Sequence, residues 1–246
     1  MKRLLGLLLP PGAWLVVFLV LPTLAVSLQA FSLEGLAELN FATLRLLGKS
    51  FLIALEVTAI CLVLGYPVAY FIATCTPRWR GLLLVLVVLP LWTNVIVRTY
   101  ALIFLLRPLG LYLTLPGAVA GLAHSYLPFM VLPVYVAIEK LPPRLLEAAA
   151  DLGASPWQSF RHVTLPLTLP GVVAGCILVF LPVLGSFATP ELLGGREAIM
   201  YGSQINFLFT TGQNPAAGSA LTVVLVVLTV GLTWAYYRIR RVEGLV

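Results

Sequence analysis

Apolar residues gather into six long runs separated by short polar segments. The runs are roughly Gly12–Phe31, Ser50–Thr74, Leu82–Leu106, Gly117–Ile138, Leu169–Thr189 and Ser219–Tyr237. Each is about 20 residues or more, the length at which an α-helix crosses the hydrocarbon layer of a bilayer. The pattern predicts an all-α membrane protein: a single domain over residues 1–246, with six transmembrane helices. One polar segment, Glu139–Thr168 between the fourth and fifth runs, is too long for a simple connection.

Composition points to the same solvent. Hydrophobic residues make up 61% of the chain and charged residues 10%, with a mean hydropathy of +1.04. Soluble domains carry about 25% charged residues. A water-soluble fold of this size could not hide so much apolar surface. The net charge of +6 lies in clusters between the runs, which reads as membrane topology rather than a nucleic-acid surface. With the N-terminus in the cytoplasm, ten Lys and Arg fall on the inside, among them Lys2, Arg3, Arg78, Arg80, Lys140, Arg144 and Arg161. Four fall outside (Arg45, Lys49, Arg107 and Arg196), and Arg98 lies within a run. This bias places both termini inside.

The first run is read as a span rather than a cleaved signal. It is long for a signal, and Pro10, Pro11 and Gly12 interrupt it near its start. Leu4–Leu9 then lie at the membrane surface before it. Pro67, Pro90, Pro128, Pro133 and Pro182 fall within runs, where each removes a helix hydrogen bond and favours a kink. Gly117/Gly121 and Gly171/Gly175 have the spacing that lets helix backbones approach closely in lipid, and are read as internal packing. Cys61, Cys75 and Cys176 show no paired spacing and are read as packing residues. No metal or cofactor site is expected in the chain.

The segment between the fourth and fifth runs predicts a rigid helix–turn–helix. Pro142 and Pro143 suit a helix start. Glu147 is expected near that N-terminus, where a carboxylate complements the dipole. Ala148, Ala149 and Ala150 leave one face thin, and Asp151 adds a second acid. Gly153 can end the helix in the left-handed conformation. Ser155 and Pro156 then suit the start of a second helix, with Trp157 and Phe160 on one face. Leu165–Pro166 returns the chain to the membrane.

This segment resembles the EAA loop of ABC importer permeases. Glu147-Ala148-Ala149 is followed at the family spacing by Gly153, Val163, Leu165 and Pro166, with Val163 where isoleucine is usual. The resemblance implies a type I-like transmembrane domain in the bacterial inner membrane. It implies that Glu147, Ala148, Ala149, Asp151, Gly153, Val163, Leu165 and Pro166 form a surface that docks on an ATPase subunit. It further implies a second, homologous permease subunit, two ATP-binding subunits that hold ATP and Mg, and an extracytoplasmic solute-binding protein. Gly48-Lys49-Ser50 imitates the end of a phosphate-binding loop, but Thr43 stands where that loop needs glycine. Hydrolysis is therefore expected from a partner.

Leu64–Tyr70, Leu89–Asn94, Val97–Tyr100, Tyr126–Pro133 and Thr189–Gly195 resemble spermidine/putrescine permeases. The outer segment Arg107–Pro116 departs from that pattern by being short. A polycation would be held by carboxylates and aromatic faces. Glu56, Trp92, Asn94, Tyr100, Tyr126 and Phe187 are therefore candidate path residues, with Arg98. An ionisable group within a span is a functional candidate by default. Arg98 either pairs with Glu56, or with helix carbonyls, or marks a path for an anion. Polyamine is the leading solute; a sulfate, phosphonate or iron type is the alternative. A secondary transporter would leave the docking segment unexplained. An intramembrane protease built on His124 and Ser186 has no oxyanion-hole motif behind it.

Overall fold

The computed structural model describes residues 14–242, apart from 33, 34 and 36. Lys2, Arg3, Leu4–Leu9 and the start of the first apolar run lie outside the described residues.

All regular structure among the described residues is helical. In chain order the elements are α1 (Val16–Ala30), α2 (Phe41–Thr74), α3 (Pro77–Val88), α4 (Val95–Leu106), α5 (Leu115–Glu139), α6 (Pro143–Asp151), α7 (Pro156–Leu184), α8 (Ala188–Leu193), α9 (Tyr201–Thr210) and α10 (Pro215–Val242). The second, fourth, fifth and sixth runs lie in α2, α5, α7 and α10, each long and apolar enough to cross a membrane. α2 has 34 residues, about 51 Å at 1.5 Å per residue, so it outreaches a hydrocarbon layer of about 30 Å. The first run is represented by α1, which begins with a π-helical turn at Val16–Val20 and is shorter than a span.

The third run is not one helix. α3 and α4 meet at 103° across a break. A 3-10 turn at Leu89–Trp92 follows α3, then Thr93 and Asn94 are extended. Pro90 cannot donate a backbone hydrogen bond, and the Asn94 side chain accepts from Ile96 N at 2.8 Å to start a new helix. Hydropathy is blind to such a break because the apolar residues on either side of Thr93 and Asn94 keep the average high. The fifth run also ends early. α7 stops at Leu184, and Gly185–Phe187 leads into the short α8 instead of continuing to Thr189.

Contacts group the described residues into two units. One is Gly48–Met200; the other consists of the described residues before 48 and after 200. In the flanking unit, Tyr201, Leu208, Ala217 and Leu221 form a buried cluster with Leu47, Ile205, Val224 and Leu225 packed on it. There Ser219 Oγ donates to Gln29 Oε1 at 3.3 Å, linking α10 to α1.

In the larger unit, α2 buries one stripe: Ala54, Val57, Cys61, Gly65, Ala69 and Ile72, with Ile53 and Tyr66 beside it. The stripe's spacing of three and four residues is that of one helix face. The stripe packs on α5 and α7, with Cys61 Sγ 3.6 Å from the Ala123 carbonyl. Met130 of α5 is fully buried between two glycines. A Cβ on Gly65 of α2 would lie 2.9 Å from Met130 Cγ, and one on Gly175 of α7 would lie 2.7 Å from its Sδ. A Cβ on Gly171 would lie 2.7 Å from the Pro133 carbonyl oxygen and would collide with Ala137. Gly171 and Gly175 thus bring α7 against α5, the internal packing expected of that pair. Gly121 does the same for α8, where a Cβ would meet Leu193 and Thr189.

Gly175→Leu is therefore expected to destabilise the protein by about 1–3 kcal/mol or more through overpacking, read as a lower unfolding temperature in detergent. Gly81→Ala is the control. It lies in α3 with open space around its Cα, and it should be neutral or gain up to about 1 kcal/mol from helix propensity.

Candidate functional site

The segment 140–164 forms an elbow between α5 and the membrane-crossing part of α7. Pro142 is the N-cap of α6 and Pro143 its first residue. Glu147 is consequently the fifth residue of a nine-residue helix, past the first turn. The expected dipole contact is absent, because the two prolines set the start earlier than the carboxylate can serve. The end of α6 follows expectation. Gly153 has φ +77°, Gly153 N donates to the Ala150 carbonyl at 2.9 Å and Ala154 N to that of Ala149 at 3.0 Å. This double bond pattern is a Schellman close, which consumes the carbonyls of the alanine run.

A capping box then starts α7. Gln158 N donates to Ser155 Oγ at 3.3 Å, and Ser155 N donates to Gln158 Oε1 at 2.7 Å. The second elbow helix does not end before the span. It passes through a π-helical turn at Phe160–Thr164, in which Leu165 N bonds the Phe160 carbonyl, and continues to Leu184. The turn lies just before Pro166, a residue with no backbone donor to maintain the α pattern.

Glu147, Ala148, Asp151 and Gly153 are exposed, and Ala149 is half-buried. Beside them Leu152 is 88% exposed and Trp157 68%. Large apolar groups among charged neighbours, on a segment between spans, form a surface suited to a protein partner. Val163 and Leu165 are half-buried and Pro166 is exposed, within the π turn and just after it. They shape the return to the membrane.

The elbow is fixed at both ends. Where α5 ends, Tyr135 Oη donates to Glu139 Oε1 at 2.7 Å and Arg80 Nη1 reaches the same oxygen at 3.3 Å. Arg80 Nη2 donates to the Ala73 carbonyl near the end of α2 at 2.9 Å. Where α7 begins, Phe160 stacks on Trp157 at 5.4 Å between ring centroids. Its ring stands edge-on to Tyr66 at 5.7 Å and Tyr70 at 6.1 Å. Tyr66 Oη lies 2.9 Å from Thr168 Oγ1. The Thr168 hydroxyl donates to the Thr164 carbonyl, so Tyr66 is the donor.

The path candidates separate into two groups. Arg98 and Tyr126 come together where α4 and α5 meet, and Phe187 follows Ser186 at the start of α8. Tyr126 is hydrogen-bonded to Ser186, beside Phe187, and Arg98 lies within electrostatic reach of Tyr126 and His124. Fully buried Thr99 approaches Thr189 at 3.4 Å between their hydroxyls. Arg98 bonds a carbonyl rather than Glu56: its Nη2 is 3.4 Å from the Thr93 oxygen, while Nε and Nη1 are buried without a partner. Trp92, 79% exposed, and Asn94 lie at the break, and exposed Tyr100 lies within α4. Asn94 is used as a cap. Glu56 is exposed on a groove of about 500 Å³ between α2 and α5, which Leu64, His124 and Leu127 also line. Gly48, Lys49 and Ser50 are inside α2, so no phosphate-binding turn forms there. Lys49 Nζ instead donates to the Glu197 carbonyl.

The sequence profile of the family described as binding-protein-dependent transport system inner membrane component matches residues 7–242. The chain belongs to this family. It is an ABC importer permease and a multi-pass inner-membrane protein. This permease is 38% identical to the spermidine/putrescine transport system permease protein PotB of Haemophilus influenzae, over 92% of this chain and 90% of that one. It is 36% identical to PotB of Escherichia coli, over 93% and 94%. Among solved structures it superposes on a bacterial ABC transporter involved in import of the acidic polysaccharide alginate, with a TM-score of 0.75 at 19% identity, covering 98% of this chain and 96% of that one. That likeness concerns the fold.

Two features of the permease escaped sequence reasoning. His124 lines the Glu56 groove and also a second groove, between α2, α3 and α5. Its distance from other polar residues along the chain concealed this. The Glu139 contacts were half visible, since Tyr135 and Glu139 are four apart on one helix face. Arg80 comes from 59 residues away and left no local signal.

The Gly153 position supplies a clean test of the elbow. A Cβ there meets nothing within 4 Å, so substitutions act through backbone conformation alone. Gly153→Ala should cost about 1–2 kcal/mol, and Gly153→Asn, which tolerates φ > 0, should cost less. Proline cannot adopt the angle. Proteolytic nicking of the elbow in the purified permease should increase in the order Gly, Asn, Ala, Pro.

Proposed function

We propose that this permease forms half of the translocation path of an ATP-driven polyamine importer and obtains its power stroke through the elbow. The observation that carries the coupling half is the elbow itself: a short, doubly capped helix pair, anchored at both ends, presenting Glu147, Leu152 and Trp157 outward. A rigid element of this kind transmits rigid-body movement, as a loose loop would not. On this reading Glu147, Ala148, Ala149, Asp151 and Gly153 sit against a separate ATPase subunit that holds ATP and Mg, and the permease has no hydrolytic site of its own. A second permease subunit completes the path, two ATPase subunits lie on the cytoplasmic side with both termini, and an extracytoplasmic protein delivers solute. Closure of the ATPases moves the elbows and opens the path outward.

The polyamine assignment is supported by the names of the relatives that are 36–38% identical over most of the chain. The chemistry is compatible with it. Glu56 offers a carboxylate within a span, and Trp92 and Tyr100 expose ring faces suited to ammonium groups. Arg98 would repel a polycation, but two of its guanidinium nitrogens are buried away from any open surface. The Arg98 guanidinium as a whole, bonded to the Thr93 carbonyl with no ion-pair partner among the described residues, favours a second reading: an anionic solute of the sulfate or phosphonate type.

Labelled spermidine and putrescine uptake by the reconstituted assembly decides between them. Uptake should depend on ATP and be competed by unlabelled polyamine, not by sulfate; ATP-dependent uptake of labelled sulfate with none of polyamine would favour the second reading. Glu147→Ala should lower uptake at least tenfold with the permease still inserted, and a cysteine at position 148 should crosslink to the ATPase. Normal uptake by Glu147→Ala, or no ATPase captured from position 148, would refute the coupling role.

A further inference from the structure

Both ends of the elbow are attached to the same short stretch of α2. Phe160 packs edge-on against Tyr66 and Tyr70, and Tyr66 donates to Thr168 in α7. At the other end Glu139 binds Arg80, which binds the Ala73 carbonyl. Tyr66, Tyr70 and Ala73 lie on the last three turns of α2, although their partners come from α7, α3 and α5. Pro67 sits in this stretch, inside the helix. It has no N–H for the carbonyl of residue 63, and its ring crowds that carbonyl, so α2 has a built-in flexible point next to Tyr66. The part of α2 beyond it, with Pro67, Phe71 and Ile72, forms one wall of a groove whose other walls include His124 and Pro128 of α5 and Leu86 of α3. The π turn that carries Phe160 is a second irregularity, of a type frequent at functional sites.

We infer that the inner end of α2 is the element that receives the elbow's movement, gripped by Phe160 on one side and by Arg80 and Glu139 on the other and pivoting at Pro67, so that elbow displacement reshapes the groove beside His124. Phe160, Tyr70, Arg80 and Glu139 are positioning residues: they touch neither solute nor nucleotide on this account. An elbow held only by its own chain could rock without consequence. One tied at both ends to a third helix cannot move unless that helix moves or the ties break. The inference rests on the coupling role of the elbow proposed above.

The test uses the full assembly in proteoliposomes, with three readouts: crosslinking of a cysteine at position 148 to the ATPase, ATP hydrolysis, and labelled spermidine moved per ATP. Crosslinking in the otherwise unaltered permease checks the underlying reading first, and its failure there refutes that reading independently of this one. Phe160→Ala and Tyr70→Ala should each keep the crosslink and hydrolysis but lower spermidine moved per ATP at least fivefold. Phe160→Tyr should retain it. Pro67→Ala, which restores a donor and stiffens the pivot, should lower the same ratio. Arg80→Ala and Glu139→Ala should each lower it, and their combination should lower it no further than Arg80→Ala alone, because both act through the same tie to Ala73. An unchanged ratio in Phe160→Ala and Tyr70→Ala with the crosslink intact would overturn the inference. So would loss of the crosslink together with transport, because Phe160 would then merely shape the elbow. Should Phe160→Ala fail to insert, the Arg80 and Glu139 pair carries the same test: a ratio unmoved by the single changes, or lowered additively in the combination, overturns it.

Discussion

The close approach of α5 and α7 sets the geometry on which the elbow depends. Gly171 and Gly175 bring α7 so near that a single Cβ at either position would collide with Pro133, Ala137 or Met130. In lipid this contact cannot be driven by expulsion of water, so dispersion at short range has to hold the helices. The elbow runs from the end of α5 to the start of α7. Its two ends are therefore held apart by a distance the glycines fix. Met130, filling the gap between Gly175 and Gly65, extends the same constraint to α2. Three helices that share one immobile side chain form a base against which a smaller element can work.

How far the chain could be read in advance follows from the range of each determinant. The elbow was legible because its stops and starts are local: Pro143, Gly153 and the Ser155–Pro156 pair act within a turn of where they stand. Its Schellman close and capping box add only detail to that reading. The packing role of Gly171 and Gly175 was likewise legible from spacing. The break at residues 89–94 was not, because hydropathy averages over a window wider than the break, although Thr93-Asn94 after Leu89-Pro90 is a stop followed by a cap. The count of spans depends on such breaks. By length and composition the described residues hold four spanning helices, or five when the bent α3–α4 pair counts as one. Contacts such as Tyr66 to Thr168, 102 residues apart, were beyond any local signal.

The break at residues 89–94 has its own electrostatic logic. Arg98 is the fourth residue of α4, near the positive end of a helix dipole, where a cation is disfavoured. It lies in reach of His124, and among the described residues its guanidinium bonds the Thr93 carbonyl alone, at a long 3.4 Å. A buried guanidinium in a membrane is normally tied to a carboxylate. Here Glu56 is instead exposed on a separate groove. The permease thus keeps its span-buried cation and its span carboxylate apart, the arrangement a path needs if each is to meet something other than the other. A direct ion pair would have occupied both groups at once.

Backbone chemistry explains why the irregular elements are concentrated here. In hydrocarbon every unpaired carbonyl costs several kcal/mol, so kinks, π turns and 3-10 turns persist only where protein or water satisfies the freed groups. In the larger unit the irregularities include Pro67, the Leu89–Trp92 turn, the prolines of α5, the Phe160–Thr164 turn, Pro170 and Pro182 of α7, the Gly185–Phe187 break and the 3-10 turn at Gly195–Ala198. Pro67, Pro90 and Pro128 border the groove that His124 lines, and Pro133 and Pro170 border the groove between α5 and α7. A bundle built only for stability would dispense with such sites, since each forfeits a hydrogen bond for no gain in packing. The placement of those five prolines along grooves is what a protein requires if movement of the elbow is to become a change of access within the membrane.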